Sequence, residues 1–224
     1  MNIIHKNIES IRSKIAAEAK QLGRHPDSIK IIAASKQQPI SAIEQAYNAG
    51  IVDFGENYLQ EALPKIRALN HLDITWHFIG KIQSNKTRLI AENFQWAHTI
   101  DRLQVGRRLN TQSPRGKILQ VCVQVNIDKD PNKSGVTQEE AMNLLEQLRN
   151  LPNLQVRGLM TMLHKKENAL EGYQRLKNLF EKSSINGPLN LDTLSMGMSD
   201  DYCDAIKAGS TFLRIGTSIF GRRL

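Results

Sequence analysis

The chain has 224 residues, of which 40% are hydrophobic and 23% are charged, and these proportions are ordinary for a globular protein in water. No stretch approaches the roughly 20 consecutive apolar residues that a membrane span requires, which speaks against a membrane protein. The formal net charge of +8 favours an anionic partner, either a phosphorylated small molecule or a nucleic acid.

The amino terminus and the cysteines indicate a cellular compartment. Charged residues such as Lys6, Glu9 and Arg12 interrupt residues 1–20, which therefore lack the apolar core of a signal peptide. The two cysteines, Cys122 and Cys203, cannot build a disulfide framework and are not spaced as metal ligands. We therefore predict a cytoplasmic protein with reduced thiols and no metal site, in which both cysteines are buried filler.

A helix is predicted first, over 7–21, because Ile8, Ile11 and Ile15 recur on one helix face and a glycine and a proline follow. From residue 29 onward a short strand, a polar loop and an amphipathic helix repeat as one unit. The strands are predicted at 29–36, 52–55, 75–79, 96–100, 118–125, 154–159, 191–194 and 212–215. The helices after the first seven strands are predicted at 39–49, 59–69, 86–93, 103–109, 138–150, 169–182 and 199–208.

Eight strand and helix units in a row, at spacings that suit parallel crossovers, predict a (β/α)8 TIM barrel with an extra N-terminal helix. No linker or low-complexity tract interrupts the series of units. We therefore predict a single domain that spans residues 1–224.

The first strand ends in a lysine, Lys36, after an otherwise nearly apolar run. The carboxyl ends of barrel strands carry the ligand-binding groups of this fold class. A lysine at the mouth of an apolar strand loses its proton more readily, because desolvation disfavours the ammonium form. Lys36 is therefore a candidate nucleophile for a Schiff base with a carbonyl compound or with pyridoxal phosphate (PLP). The alternative is a strand-end lysine whose ammonium simply reaches water.

Other polar or chemically distinctive residues stand at the ends of the remaining strands, and a barrel would bring them to one face. Taken singly, each of them is better explained as the start of a loop. In chain order they are Glu56, Asn57, His77, Gly80, Lys81, Asp101, Asn126, Met160, Met162, Ser195, Gly216 and Thr217.

The last two units predict a phosphate site, which such barrels frequently build from the loops after strands seven and eight. We place Ser195, Gly216 and Thr217 around the phosphate, and Arg214 as a charged donor at the phosphate or at a ring. Ser199 is interpreted instead as the start of a helix. Strands eight and one are neighbours in a closed barrel, so one pocket would hold an aldehyde at the lysine and a phosphate at these loops. PLP carries both groups.

Five segments of the chain, taken together, resemble the pyridoxal phosphate homeostasis protein family. They run in order and at family-like spacing from about residue 29 to residue 221. They are Ala-Ala-Ser-Lys at 33–36, Phe-Gly-Glu-Asn-Tyr at 54–58, Trp-His-Phe-Ile-Gly-Lys-Ile-Gln-Ser-Asn-Lys at 76–86, Leu-Ser-Met-Gly-Met-Ser at 194–199 and Arg-Ile-Gly-Thr-Ser-Ile-Phe-Gly at 214–221.

The resemblance implies a barrel like the N-terminal domain of alanine racemase, with PLP held as a Schiff base on Lys36. It also implies that Asn57 and Met160 lie beside the ring. The residues that it places at the phosphate are Ser195, Arg214, Gly216 and Thr217.

Three functions compete at this point. A cofactor-holding protein without catalytic turnover agrees with the resemblance and is preferred, with apo-enzymes that use PLP as candidate recipients. An amino-acid racemase needs a second base, which in the racemases resembled here comes from a β domain that this sequence lacks. Nucleic-acid binding rests on the charge alone, and aromatic residues make up only 5% of the chain. Lys81, Lys86, Lys129 and Lys133 are expected around the pocket mouth instead, and the protein is expected to be a monomer.

Overall fold

The structure is a computed structural model that describes residues 2–163, 168–185 and 191–221. Eight parallel strands follow one another around a closed barrel in chain order, and β1 pairs with β8 to close it. This confirms the predicted (β/α)8 barrel. The strands are β1 Lys30–Ala34, β2 Asp53–Glu56, β3 Thr75–Phe78, β4 Trp96–Ile100, β5 Leu119–Gln124, β6 Leu154–Met160, β7 Thr193–Ser195 and β8 Phe212–Ile215.

The helices lie outside the barrel, and within the described ranges none is long and apolar enough to cross a membrane. The first begins at Ile3, earlier than predicted, because the side chain of Asn2 caps it by accepting from the backbone N–H of His5 at 2.8 Å. The helices are α1 Ile3–Gln21, α2 Ile40–Asn48, α3 Leu59–Ala68, α4 Thr87–Asn93, α5 Leu103–Gln112, α6 Gln138–Arg149, α7 Ala169–Ile185, α8 Tyr202–Lys207 and α9 Thr217–Phe220.

The buried apolar residues form two separate clusters. The larger cluster fills the layer between the strands and the helices and includes Phe54, Leu109 and Tyr173. The smaller cluster lies inside the barrel and consists of Ile32, Trp96, Cys122, Met160 and Phe212. The inner cluster is small because much of the barrel interior is taken up by polar side chains, and these lead to the site.

The seventh unit differs from its predicted bounds. β7 runs to Ser195, which pairs with Met160 of β6 and Phe212 of β8. The following helix starts at Tyr202 and not at Ser199, because Asp201 folds the preceding residues into a turn by accepting from the backbone N–H of Met198 at 2.6 Å. Ser199 is therefore not the start of a helix, and its side chain is available for other contacts.

Candidate cofactor site at the barrel mouth

A cavity of about 190 Å³ opens at the carboxyl ends of β1, β2 and β8. It is lined by five of the seven predicted cofactor residues, namely Lys36, Asn57, Arg214, Gly216 and Thr217. These residues come from positions between 36 and 217 in the chain, and the closed barrel brings them to one place because β1 and β8 are neighbours. A cleft of about 440 Å³ lies at the opposite end of the barrel, so size alone does not identify the site.

The remaining two predicted residues, Ser195 and Met160, are not among those that line this cavity. Both are fully buried. Met160 packs in the inner apolar cluster, and Ser195 lies behind Arg214, whose guanidinium Nη1 donates to the Ser195 Oγ at 2.7 Å. Their contribution to cofactor binding stays a prediction, and the geometry makes Ser195 a partner of Arg214.

Lys36 stands two residues beyond the end of β1, on a segment that a buried ion cluster holds in place. The Nζ of Lys65, on α3, donates to the backbone oxygen of Ser35 at 2.8 Å and to Glu56 Oε1 at 2.8 Å. Glu61, which also pairs with Lys65, accepts the backbone N–H of Gln37. Lys36 is thus fixed on both sides, by contacts to the residue before it and to the residue after it.

Burial decides the electrostatics of this cluster. The Glu56 side chain is fully buried, and desolvation raises the pKa of its carboxyl, while the hydrogen bond and charge of Lys65 act in the opposite direction. A buried ion pair of this kind is sensitive to the loss of either partner, because the remaining charge would have no compensation. The lysine that is proposed to react is therefore carried by a segment that depends on a second, structural lysine.

Asn57 follows β2 and faces the cavity. Its backbone is fixed by Gly80, where an added Cβ would lie only 2.1 Å from the Asn57 carbonyl oxygen, so that position accepts no side chain without a backbone shift. Its Oδ1 atom is buried and has no hydrogen-bond partner in the part of the chain that the structure describes. A buried acceptor of this kind favours a ligand that brings a hydrogen-bond donor.

Arg214 supplies a positive charge at the cavity wall. Its side chain is 4% exposed, and its Nη2 donates to the Thr161 carbonyl oxygen at 2.8 Å. No ion pair joins it to a carboxylate among the residues that the structure describes; desolvation lowers the pKa of the guanidinium, while the negative charge of Asp201 acts in the opposite direction. Burying a charge that no carboxylate pairs with directly is unfavourable. The cavity therefore favours an anionic or electron-rich ligand.

The loops after β7 and β8 meet at the other wall. Ser199 Oγ accepts the backbone N–H of Ser218 at 3.2 Å, which joins the two loops. Gly216 lets the chain pass close to Ala34, with an added Cβ only 3.3 Å from the Ala34 carbonyl oxygen. Hydroxyls, a glycine and backbone N–H groups in this arrangement are typical of phosphate sites in such barrels.

Beneath the cavity, a chain of polar side chains crosses the barrel. Asp53 Oδ1 lies 2.9 Å from His77 Nε2, and His77 Nδ1 lies 2.9 Å from His98 Nε2. His98 Nδ1 in turn lies 2.9 Å from Ser195 Oγ, which accepts from Arg214. Burial lowers the pKa of both imidazoles, and that of His98 falls well below its usual range.

Three of the four lysines that were expected at the mouth adjoin the cavity. Lys81 and Lys86 line a cleft of about 380 Å³ that shares Asn57 with it. Lys81 and Lys133 line a second cleft, of about 410 Å³, that shares methionines with it. Lys129 instead lines a separate groove formed by the loop after β5 and by α7.

Sequence reasoning missed two residues, Ser199 and His98. Ser199 was interpreted as a helix start because two aspartates follow it. The signal for His98 was its place in β4, where every residue is buried and alternate positions point into the barrel. A histidine on the inner face of such a strand requires polar partners. Those partners, His77 and Ser195, lie on other strands and cannot be identified from local spacing.

Of the remaining predicted strand-end residues, two make contacts within the loops and do not line the cavity. Asp101 pairs with Arg102, the next residue in the chain. The Nδ2 of Asn126 donates to the Asp130 carbonyl oxygen at 2.8 Å within the loop after β5. These two are explained as loop residues.

Comparison with known proteins agrees with this geometry. Residues 7–223 match the family described as "Alanine racemase, N-terminal domain". A Vibrio alginolyticus protein named pyridoxal phosphate homeostasis protein is 48% identical, across 100% of this chain and 99% of its own length. A protein of the same name from Escherichia coli K12 is 45% identical, across 100% of this chain and 98% of its own length.

Solved structures are also similar. PipY of Synechococcus elongatus PCC7942, solved with PLP bound, is 36% identical, with a TM-score of 0.81 over 92% of this chain and 100% of that chain. Alanine racemase of Clostridium difficile 630 has a TM-score of 0.78 over 98% of this chain and 56% of that chain, but at 12% identity this likeness concerns the fold alone. The chain belongs to the pyridoxal phosphate homeostasis protein family, within the wider family of alanine racemase N-terminal domains.

Proposed function

We propose that this protein binds pyridoxal 5'-phosphate at the barrel mouth and serves intracellular PLP homeostasis, holding the cofactor as a Schiff base on Lys36 without catalytic turnover. The observation that carries the proposal is the single cavity shared by Lys36, Arg214, Gly216 and Thr217. A primary amine at one side and donors for an anion at the other match the two ends of this cofactor. The curated relatives named for PLP homeostasis, and the PLP-bound PipY structure, support the same ligand.

Each wall of the cavity has a role in this proposal. Lys36 provides the amine that condenses with the aldehyde, and Asn57 provides the buried acceptor beside the ring. Arg214 provides the charged donor, at the ring or at the phosphate. Gly216, Thr217 and Ser199 provide the phosphate wall. When bound, PLP supplies a reactive aldehyde and an electron-withdrawing ring, and holding it reversibly keeps the free aldehyde low.

The alternative function, a PLP-dependent amino-acid racemase, is less well supported. Racemisation needs proton donors and acceptors on both faces of a substrate. Among the described residues that line the cavity, Lys36 and Asp200 carry the groups that could accept a proton, and no tyrosine or histidine lines it. Tyr58 is 59% exposed and lines the neighbouring cleft.

The proposal extends to partners and compartment. Lys81, Lys86 and Lys133 beside the mouth suit attraction of the anionic cofactor or docking of an acidic surface on an apo-enzyme that receives it. The two thiols, Cys122 and Cys203, are free. They support a reducing, cytoplasmic environment. A single monomeric domain spanning residues 1–224 completes the proposal, and light scattering of the purified protein tests the oligomeric state.

The test is a visible absorbance spectrum of the protein with PLP, followed by borohydride reduction and peptide mass analysis. We expect a band that disappears on reduction and a pyridoxyl mass on the peptide that contains Lys36. Lys36→Ala should lose both while remaining folded, and Lys81→Ala, a matched change on the same face, should keep both. A protein that stays colourless with added PLP contradicts the binding proposal. Loss of optical activity from L-alanine or another L-amino acid contradicts the absence of turnover.

A further inference from the structure

We infer that His77 and His98 are positioning residues for Arg214. Both act as neutral imidazoles that carry their hydrogen on Nε2. Together they fix which group donates and which accepts in each hydrogen bond between Asp53 and the cavity. The inference rests on the proposed function, because Arg214 matters through the ligand that it meets. No residue of this inner chain except Arg214 lines the cavity, among the residues that the structure describes.

The direction of the chain follows from its two ends. The guanidinium of Arg214 can only donate, and the carboxylate of Asp53 accepts. If Asp53 accepts from His77 Nε2–H, the neutral His77 ring presents a bare Nδ1, which must accept from His98 Nε2–H. His98 then presents a bare Nδ1 to Ser195. Each ring nitrogen is thus assigned to one role.

The last link determines how Arg214 is held. With His98 Nδ1 as acceptor, the hydroxyl hydrogen of Ser195 is committed to the imidazole, and the oxygen lone pairs are left to accept from Arg214 Nη1 at 2.7 Å. The Thr161 carbonyl oxygen accepts from Nη2 at 2.8 Å. Two fixed acceptors on different nitrogens set the plane of the guanidinium. Its remaining donors are then oriented before the ligand arrives, and such preorganisation raises affinity.

The competing arrangement is a doubly protonated His77. That ring would donate both to Asp53 and to His98, and His98 Nδ1–H would donate to Ser195. The hydroxyl of Ser195 would then accept twice, and its own hydrogen would need a further acceptor. Double protonation of His77 would also place a positive charge on a fully buried ring in the same barrel interior as Arg214, and desolvation opposes such a charge.

The first test uses the protein without cofactor. Nitrogen-15 NMR of the histidine rings at pH 7 distinguishes neutral Nε2–H, neutral Nδ1–H and doubly protonated imidazoles, and His77→Gln and His98→Asn variants assign the two buried rings. We expect both rings to be neutral with hydrogen on Nε2. A doubly protonated His77, or an Nδ1–H tautomer at His98, overturns the inference whether or not PLP binds.

The second test measures the affinity for PLP. His98→Leu removes the acceptor for Ser195 and should raise the Kd for PLP at least tenfold. His98→Asn retains an oxygen near the Nδ1 position and should recover most of that loss. Leu109→Ala, in the outer apolar cluster, provides a destabilised control whose Kd should be unchanged. Equal Kd values for His98→Leu and wild type, or equal losses in both His98 variants, overturn the inference. Wild type without affinity for PLP overturns the proposed function, and the NMR result still decides the inference.

Discussion

Lys65 reaches from α3 to the backbone oxygen of Ser35, 2.8 Å away, and thereby holds the residue that immediately precedes Lys36. The contact joins the second helix after the start of the barrel to the end of its first strand. A lysine with 7% of its side chain exposed is unusual, and here its three contacts, to Ser35, Glu56 and Glu61, account for its ammonium donors.

Replacing this lysine should affect both stability and the site. We predict that Lys65→Met lowers the free energy of unfolding by roughly 3 to 5 kcal/mol, because the buried carboxylate of Glu56 loses its partner. PLP binding should weaken as well, because the segment around Lys36 loses an anchor. Urea unfolding and a PLP titration measure the two effects. Lys177→Met, at an exposed lysine paired with Glu181 on α7, should change stability by less than about 1 kcal/mol.

The double variant Lys65→Met with Glu56→Gln separates charge from geometry. Removing the orphaned carboxylate should restore part of the stability while leaving the Lys36 segment without its anchor. Recovery of PLP affinity together with stability would contradict the positioning role of Lys65.

The glycine at position 80 should be essential for the shape of the cavity. An alanine there would place its Cβ 2.1 Å from the carbonyl oxygen of Asn57, and neither backbone can give way without moving that residue. We predict that Gly80→Ala weakens PLP binding at least tenfold and lowers stability. Gly116→Ala serves as the control, because it meets no atom within 4 Å and adds only the strain of a positive φ, roughly 1 kcal/mol. Equal effects on PLP binding would contradict the prediction.

Ser199 is predicted to matter for the phosphate wall. Ser199→Ala removes the hydroxyl that joins the loops after β7 and β8 through the backbone N–H of Ser218. The loss of one hydrogen bond of this kind should weaken PLP binding roughly threefold to tenfold. Ser113→Ala, whose hydroxyl bonds only to its own helix, should leave the Kd unchanged. Isothermal titration with PLP checks both variants, and an unchanged Kd for Ser199→Ala would refute the assignment.

The buried imidazoles should make stability depend on pH. Because burial lowers the pKa of His77 and His98, the unfolded chain binds more protons than the folded one below about pH 6.5. The free energy of unfolding should therefore fall as the pH falls from 7 to 5, by up to about 1.4 kcal/mol per pH unit for each ring. Burial raises the pKa of Glu56, so this residue makes the free energy of unfolding change with pH in the opposite direction. Its contribution is the same in the wild type and in the histidine variants.

Denaturant unfolding at several pH values measures this slope. His98→Asn should reduce it by about half, while His5→Asn, at a partly exposed position on α1, should leave it unchanged. A slope that His98→Asn does not alter would show that the ring is not a source of the dependence.

The two thiols should differ in reactivity. Cys122 lies in the inner cluster, fully buried, and desolvation raises the pKa of its thiol far above the usual range. Cys203 lies on α8 and is partly exposed. We predict that a thiol reagent modifies one cysteine in the native protein and both after denaturation, with Cys122 as the protected one. Peptide mapping identifies the site, and native labelling of Cys122 would contradict its place in the barrel.

The barrel could be predicted from sequence because its signals are local. Each strand and helix carries its own periodicity, so all eight units were found, with bounds that shift by a few residues. Lys36 was recognisable because a lysine ends an apolar strand. Arg214 was recognisable as a charged residue in the last strand, and Gly216 and Thr217 because they follow that strand. Asn57 was among the polar residues expected at the strand ends, and the resemblance to a known family added its place beside the ring.

The contacts beneath and beside the cavity were not predictable in the same way. His98 and Ser195 are separated by 97 positions, and Lys65 and Ser35 by 30. The first pair depends on which strand positions share a level inside the barrel, and the register that sets the level is a property of the closed sheet. The second pair depends on how α3 packs against the end of β1. The turn at Met198 was not predictable either, although its residues are close in sequence. The Asp201 carboxylate accepts the backbone N–H of Met198, and the helix therefore starts after Ser199.

The contact between His98 and Ser195 has a mechanical consequence. β4 and β7 share no ladder and lie three strands apart around the barrel, so the hydrogen bond between them runs through the lumen. A hydrogen bond between them restrains the distance between the two strands and limits how far the cross-section of the barrel can flatten. A hydrogen bond has a preferred length and angle, whereas apolar side chains in contact can shift along one another with little change in energy. The hydrogen bond inside the lumen therefore helps to set the cross-section of the barrel. The distance between the cavity wall that bears Lys36 and the walls that face it depends on that cross-section.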